Sequence, residues 1–309
     1  MDSTFRSCSE LKTLFGSINY SLNIAQITQG SLHGRLIVYE GPGIAIIQLK
    51  SNQGLIFNGD VNSSVISFAI ESSDNIELHR VQGIAITNHT LSGFNINKSE
   101  HYFSTTPNSN LYIIFFPKIK FLQAASQIEG EQAIDFFHNQ NHKSVNPCKF
   151  NKILNYAKQL KSTSSINQAS YHHDLIISIL DSLICCENDC KSNIHPLPNR
   201  DLVHKFVKYA FAEGQQKPLT LNDLTTNLFS SKTVLSTAIK KSTGLSPLVF
   251  LRNLRLEQVR SSLLDRDSST SVIEVASKYG FSSRGHFSRY YKNLFGELPS
   301  ETLSHSHLP

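Results

Sequence analysis

Between Leu22 and Pro117 the apolar positions come in short runs rich in β-branched and aromatic residues, interrupted by Gly and Asn. Runs at 35–39, 44–49, 65–70 and 112–116 read as strands, with Gly41-Pro42-Gly43 as the turn joining the first two. Short strands this closely spaced predict a sandwich or small barrel. Past Pro117 the period changes. Stretches 131–139, 150–162 and 168–187 carry helical spacing, and in the last of them Leu175, Ile176, Ile179 and Leu183 lie 1, 3 and 4 residues apart. That stripe has two readings, a face packed on the strands or a surface for self-association. Residues 188–199 hold Pro196, Pro198 and several Asn and Ser, and read as a linker.

The last third is a row of short helices with their own start and stop signals. One over 201–212 ends at Gly214. Thr220 and Asp223 resemble a capping box for a helix over 222–229. Ser231 opens a helix to Thr243, which Gly244 closes, and Ser246-Pro247 opens a longer one to Leu264 with Leu256, Val259 and Leu263 on one face. Ser271 and Glu274 form a full capping box for a helix that stops at Gly280, and Ser282 or Ser283 starts another through Leu294, just before Gly296.

Segments 221–241 and 272–292 therefore share one layout: short helix, tight turn, second helix with a polar outer face. Leu224, Leu228, Leu235 and Ile239 set the angle in the first, and Val275, Tyr279, Phe287 and Tyr291 in the second. Such a unit offers its second helix to a DNA major groove, about 12 Å wide. The spacer 247–264 spans roughly 27 Å at about 1.5 Å per residue. That brings the two second helices near the repeat of about 34–36 Å between successive major grooves on one DNA face.

Charge strengthens this picture. The net charge is +5, but residues 200–309 hold 15 Lys+Arg against 9 Asp+Glu, whereas residues 1–199 hold 14 against 15. The basic surplus belongs to the helical third, whose natural partner is a polyanion. A chain of 309 residues accommodates about two domains. With 39% apolar and 17% charged residues it is neither an acidic disordered chain nor a coiled coil. No apolar run reaches the roughly 18 residues of a membrane span. The first residues lack the apolar run of a signal peptide. Five cysteines, an odd and scattered set, suit a reducing compartment. A cytoplasmic protein without membrane association is expected.

The residues also carry a resemblance. Ser231, Leu235, Gly244-Leu245-Ser246-Pro247, Arg252, Arg255-Leu256 and Val259-Arg260 resemble the first half of an AraC/XylS-type DNA-binding domain. Val275-Ala276, Tyr279-Gly280-Phe281-Ser282-Ser283, His286-Phe287-Ser288-Arg289, Tyr291-Lys292, Phe295-Gly296 and Pro299-Ser300 resemble its second half. The ending from Phe295 to Leu303 looks like the subgroup of ethanolamine-utilisation regulators. Two departures stand out: Phe229-Ser230 replaces a small residue followed by an apolar one, and Thr237 stands where a longer, often basic side chain is common.

The resemblance implies a bacterial α+β two-domain transcription regulator, an activator or a repressor. An N-terminal cupin-like β-barrel or sandwich with a helical extension precedes a C-terminal all-α domain whose two helix-turn-helix units are joined by a linker helix. The expected boundaries are 1–120 for the sensor barrel, 121–187 for the extension with a role in dimerisation, 188–199 for the linker and 200–309 for the DNA-binding domain, with few contacts crossing the linker. Double-stranded DNA is the expected partner. RNA polymerase, a small-molecule effector of unspecified identity and a second copy of the chain are further implied ones. Expected base readers are Thr233, Ser236, Thr237, Arg284, His286 and Arg289. Expected phosphate contacts are Ser231, Lys232, Lys240, Arg252, Ser283 and Lys292.

Two rival classes remain at this point: a cupin-like metal-dependent enzyme with a helical appendage, and an architectural DNA-binding protein without a ligand. His79, His89 and His101 lie on or beside expected strands but include no His-x-His pair, and the cysteines at 185, 186 and 190 have no matching second pair. No phosphate loop, nucleophile elbow or paired carboxylates appear. No enzyme activity, metal or cofactor is therefore expected.

Overall fold

The computed structural model describes residues 1–74, 76, 79–159, 168–184, 199–214, 218–265 and 271–305. Residues 188–198 of the linker expected at 188–199 and the cysteines at 185, 186 and 190 lie outside them. The first part contains strands β1 (Asp2–Phe5), β2 (Leu22–Gln26), β3 (Gly34–Gly41), β4 (Ile44–Ser51), β5 (Leu55–Asp60) and β6 (Val65–Glu71). It continues through β7 (Arg80–Val81), β8 (Ile84–Ala85), β9 (Thr90–Ser92), β10 (Glu100–Ser104), β11 (Ser109–Pro117) and β12 (His142–Ser144). Helices α1 (Cys8–Gly16), α2 (Lys118–Glu129), α3 (Gln132–Asn139), α4 (Pro147–Gln159) and α5 (Gln168–Leu183) accompany them. The four expected strands are present as β3, β4, β6 and β11. The β3–β4 hairpin turns where foreseen, with Gly43 at φ 83° and Gly41 paired to Ile44.

The strands form two sheets, ordered β1-β3-β4-β11-β6-β9-β12 and β2-β5-β10-β7-β8, with every pairing antiparallel. Among the described residues no pairing links the two, so a closed cupin-like barrel is not what these strands build. The reason lies in the strand faces. In β11 Tyr112, Ile114 and Phe116 point to one side and join Phe121, Phe137, Ile153, Leu175 and Ile179 from α2–α5 in one core. Leu111 and Phe115 point to the other side and meet Leu22, Ile24, Leu55 and Phe57 of the second sheet, along with Phe15 of α1. The large sheet is apolar on both faces and needs a cover on each. The helical stripe expected at α5 is one of those covers: Leu175, Ile179 and Leu183 are fully buried on the sheet, and Ile176 is half-buried against it. It is core, not a free surface for self-association.

The second sheet is apolar on its outer face as well. Ala25, Ile27, Ile56 and Tyr102 bury against Val203, Phe206, Leu235 and Phe250 of the C-terminal helices in a single cluster. The expectation of few crossing contacts fails for this reason. Polar bonds reinforce the contact. Gln26 N–H donates to Glu257 Oε1 at 3.1 Å, and the two hydrogens of its side-chain Nε2 are shared among the carbonyls of Thr28 (2.7 Å), Gly30 (2.7 Å) and Leu294 (2.9 Å). Burial pushes the Glu257 carboxyl up, opposed by the charge of Arg260. Tyr102 Oη and Ser242 Oγ lie 3.0 Å apart, and Glu100 pairs with Lys208 and His204.

Gln26→Ala removes both side-chain N–H donors from the Thr28, Gly30 and Leu294 carbonyls and is expected to cost about 1–2 kcal/mol. Amide hydrogen exchange should speed up at β2 and at the end of the helix holding Leu294. Unchanged exchange there contradicts a clamping role.

Candidate nucleic-acid interface

The C-terminal helices are α6 (Arg200–Glu213), α7 (Leu221–Asn227), α8 (Lys232–Thr243), α9 (Pro247–Leu264), α10 (Val272–Lys278), α11 (Arg284–Phe295) and α12 (Pro299–His305). Their ends follow the sequence signals. Thr220 and Ser271 each accept from the third helical N–H, and Asp223 and Glu274 return the bond to the cap backbone. Ser231 and Ser246 cap α8 and α9. Gly244 and Gly296 close α8 and α11 in the left-handed conformation that glycine takes without penalty. Ser283 is the residue before α11, yet its hydroxyl makes no capping bond.

Pairs α7–α8 and α10–α11 are the two helix-turn-helix units, and α9 is their common support. One of its faces, Phe250, Leu251 and Leu254, packs with the first unit. The other, Leu256, Val259 and Leu263, packs with Val275, Phe287, Tyr291 and Phe295 of the second. A helix of 18 residues buried on both sides is a stiff spacer. Tyr291 is fully buried, and its hydroxyl lies 2.8 Å from Thr302 Oγ1, which ties α11 to α12. Arg260 holds Glu297 at 2.9 Å, next to the end of α11.

On α11 His286 and Arg289 turn away from the buried Phe287 and Tyr291, whereas Arg284 is the first residue of the helix, one turn ahead of Phe287 on its own side. Arg284, His286 and Arg289 are all exposed. Arg289 Nη2 lies 3.2 Å from His286 Nδ1 and its guanidinium 5.6 Å from the Tyr290 ring centre, so the fork is braced before any partner arrives. On α8 Thr233 and Thr237 are exposed and Ser236 is half-buried. Lys232, Lys240 and Lys292 are exposed, as phosphate contacts must be. Ser231 is exposed too, but its hydroxyl already accepts from Val234 N–H at 3.3 Å as the cap.

Arg252 differs from the expectation of a plain surface cation. It is half-buried with its guanidinium 3.8 Å from the centre of the Tyr290 ring, bridging α9 to α11. Beside it, burial and then the like charge of Arg252 push the Arg255 guanidinium down. Arginines at 252, 255 and 260 alternate with aromatic partners Tyr290, Phe281 and Phe295, a brace that spacing alone did not disclose. Among the described residues no three His, Cys, Asp or Glu side chains converge as a metal site would require.

A family model described as a helix-turn-helix domain matches residues 224–305. The XylDLEGF operon transcriptional activator 2 of Pseudomonas putida is 39% identical over 93 residues, 30% of this chain and 59% of that protein. Activator 1 of the same operon and organism is 31% identical over 151 residues, 47% of this chain and 43% of the relative. Residues 224–305 are a helix-turn-helix domain of the AraC/XylS type.

The crystal structure of a probable AraC family transcriptional regulator from Rhodopseudomonas palustris CGA009 is 34% identical. That match covers 35% of this chain and 99% of the other, with a TM-score of 0.33. The matches to the two Pseudomonas activators span about half of their length. No helix among the described residues is long and apolar enough to cross a membrane.

Proposed function

We propose that the chain is a sequence-specific transcription regulator of the AraC/XylS type, acting in the cytoplasm and recruiting RNA polymerase as an activator. The AraC/XylS-type domain reads two successive major grooves, one with α8 and one with α11. The observation that carries this reading is the mounting of both units on the two faces of α9, with cationic and hydrogen-bonding side chains turned outward on each second helix. Residues 200–309 are the DNA-binding part and residues 1–187 the sensing part. A cavity of about 70 Å³ between the two sheets, lined by Phe15, Ile47, Phe103 and Phe115 with Ser67 and His79, supports a small effector as the signal. Such an effector acts by favouring one arrangement of sheet and helices over another. A homodimer remains part of the proposal, on a surface other than the α5 stripe.

Base reading and phosphate binding separate experimentally within α11. Arg289 sits on the outer face with a braced fork that matches the O6/N7 edge of guanine. Arg289→Ala is expected to cost about 1–3 kcal/mol on a selected site and much less on scrambled duplex. Lys292 lies in the last turn, exposed, where the chain leaves the groove. Lys292→Ala should weaken both duplexes alike and lower the salt slope by about 1. A salt titration on both duplexes decides. Equal loss on both for Arg289→Ala makes that residue a phosphate clamp and moves base reading to Arg284 or His286.

A further inference from the structure

The two units can be compared with each other. In the second, Gly280 lies nine positions after the cap Ser271 and turns the chain at φ 78°. Phe281 then folds inward, its ring 5.2 Å from that of Phe287. In the first, the same spacing of nine positions leads from Thr220 to Phe229, which turns the chain at φ 50°. Ser230 follows it where the second unit has its inward ring. The first unit thus has an aromatic residue at the left-handed position and no ring behind the turn.

Both features work against folding. A side chain with a Cβ strains left-handed backbone, and Asn, Asp or Gly is the usual occupant. The ring gains nothing in exchange within the fold, for Phe229 is 96% exposed, the most open large apolar side chain among the described residues. Strain of this kind concentrates where a partner binds.

The position names the partner. Two residues after Phe229 the cap Ser231 starts α8, whose exposed side carries Lys232, Thr233, Thr237 and Lys240. A recognition helix enters the groove by its N-terminal residues. A ring just ahead of that end stands at the groove rim, beside sugars and outer base edges, with lysines to hold the flanking phosphates. We propose that Phe229 is a DNA-contacting side chain, making apolar contact with deoxyribose and the thymine methyl group. It supplies the first unit with contact area that the short Thr233, Ser236 and Thr237 cannot. This rests on the DNA-binding reading above.

The chain contains no tryptophan, so Phe229→Trp creates a single fluorescent reporter at the site. The probe is a duplex selected from a random-sequence pool on the full wild-type chain. Phe229→Gly is expected to melt at the wild-type temperature or a few degrees above it, yet to bind the selected duplex about fivefold or more weakly. The Phe229→Trp emission, that of a water-exposed indole, should shift or quench as duplex saturates the protein. Equal duplex affinity for wild type and Phe229→Gly overturns the contact. So does an emission that saturating duplex leaves unmoved, which instead assigns the ring to a protein partner. A wild-type chain that enriches no duplex overturns the DNA-binding reading, and this contact with it.

Discussion

Ile179→Glu should abolish folding of the sheet-containing part and not release a folded monomer. Ile179 is 0% exposed, at the centre of a cluster that joins α5 to Phe68, Ile114 and Phe121. Removing its branched side chain alone costs about 2–5 kcal/mol. A carboxylate in its place also loses its hydration without a partner, so the total should exceed about 4 kcal/mol, a large part of the stability of an ordinary domain. Ile177 lies two residues away on the same helix and is exposed, so Ile177→Glu should be tolerated. Circular dichroism melts and sedimentation of the full chain distinguish the outcomes. A folded, monomeric Ile179→Glu from a dimeric wild type restores the self-association reading of the stripe.

That stripe shows where sequence reasoning ran out. Spacing identified α5 and its apolar face but not what covers it, because a face packed on a sheet and a face packed on a second copy have the same period. The C-terminal helices were legible to within a residue or two at most ends. Their caps are local chemistry: Thr220 with Asp223, Ser271 with Glu274, Ser246 before Pro247, and glycines at 244, 280 and 296 in positive φ. Helix α1 escaped notice, although Ser7 caps it and Leu11 and Phe15 lie one turn apart on its buried face. The two-sided burial of β2 and β5 was also out of reach. Leu55 and Phe57 face one core and Ile56 another, which in sequence is an unbroken apolar run with no preferred side.

The candidate interface divides in the same way. His286 and Arg289 could be placed from periodicity, since Phe287 and Tyr291 fix the inward face of α11, whereas Arg284 is exposed because it begins the helix. The Arg252–Tyr290 stack could not, because it depends on how α9 crosses α11. Nor could the Gln26 clamp, whose two ends lie 268 residues apart. Through Gln26 and the loop residue Gly30 that follows it, the end of the second sheet holds the Leu294 carbonyl at the end of α11, and through Tyr102 the sheet touches Ser242 near the end of α8. One sheet therefore contacts both recognition helices at the ends away from their reading residues. A change in that sheet has a direct route to their relative placement, which a local sequence pattern cannot express.

Acid should loosen the sheets before it disturbs the DNA-binding helices. His79 is 1% exposed, and its Nδ1 has no hydrogen-bond partner and lies 3.7 Å from Glu71 Oε2. The Glu71 carboxylate is already engaged by Ser109 Oγ–H at 2.5 Å and the Asn110 N–H at 2.9 Å. Burial holds the imidazole neutral and brings its pKa down to about 4, against the attraction of Glu71 and helped by Arg80. His101, also at the cavity between the sheets, is brought down to about 4 by burial. An unfolded histidine takes its proton near pH 6.5. With the folded value depressed, the stabilising contribution is full above about pH 6.5 and falls away as pH drops toward about 4. The loss therefore belongs to the acid side of neutrality, where the buried imidazole must take a proton that the unfolded chain takes freely. Urea unfolding at about pH 7.5 and pH 5 should show this loss in a probe of the sheet layer, and His79→Gln should flatten the slope by the same amount. A variant whose stability falls with acid as steeply as wild type removes His79 as the cause.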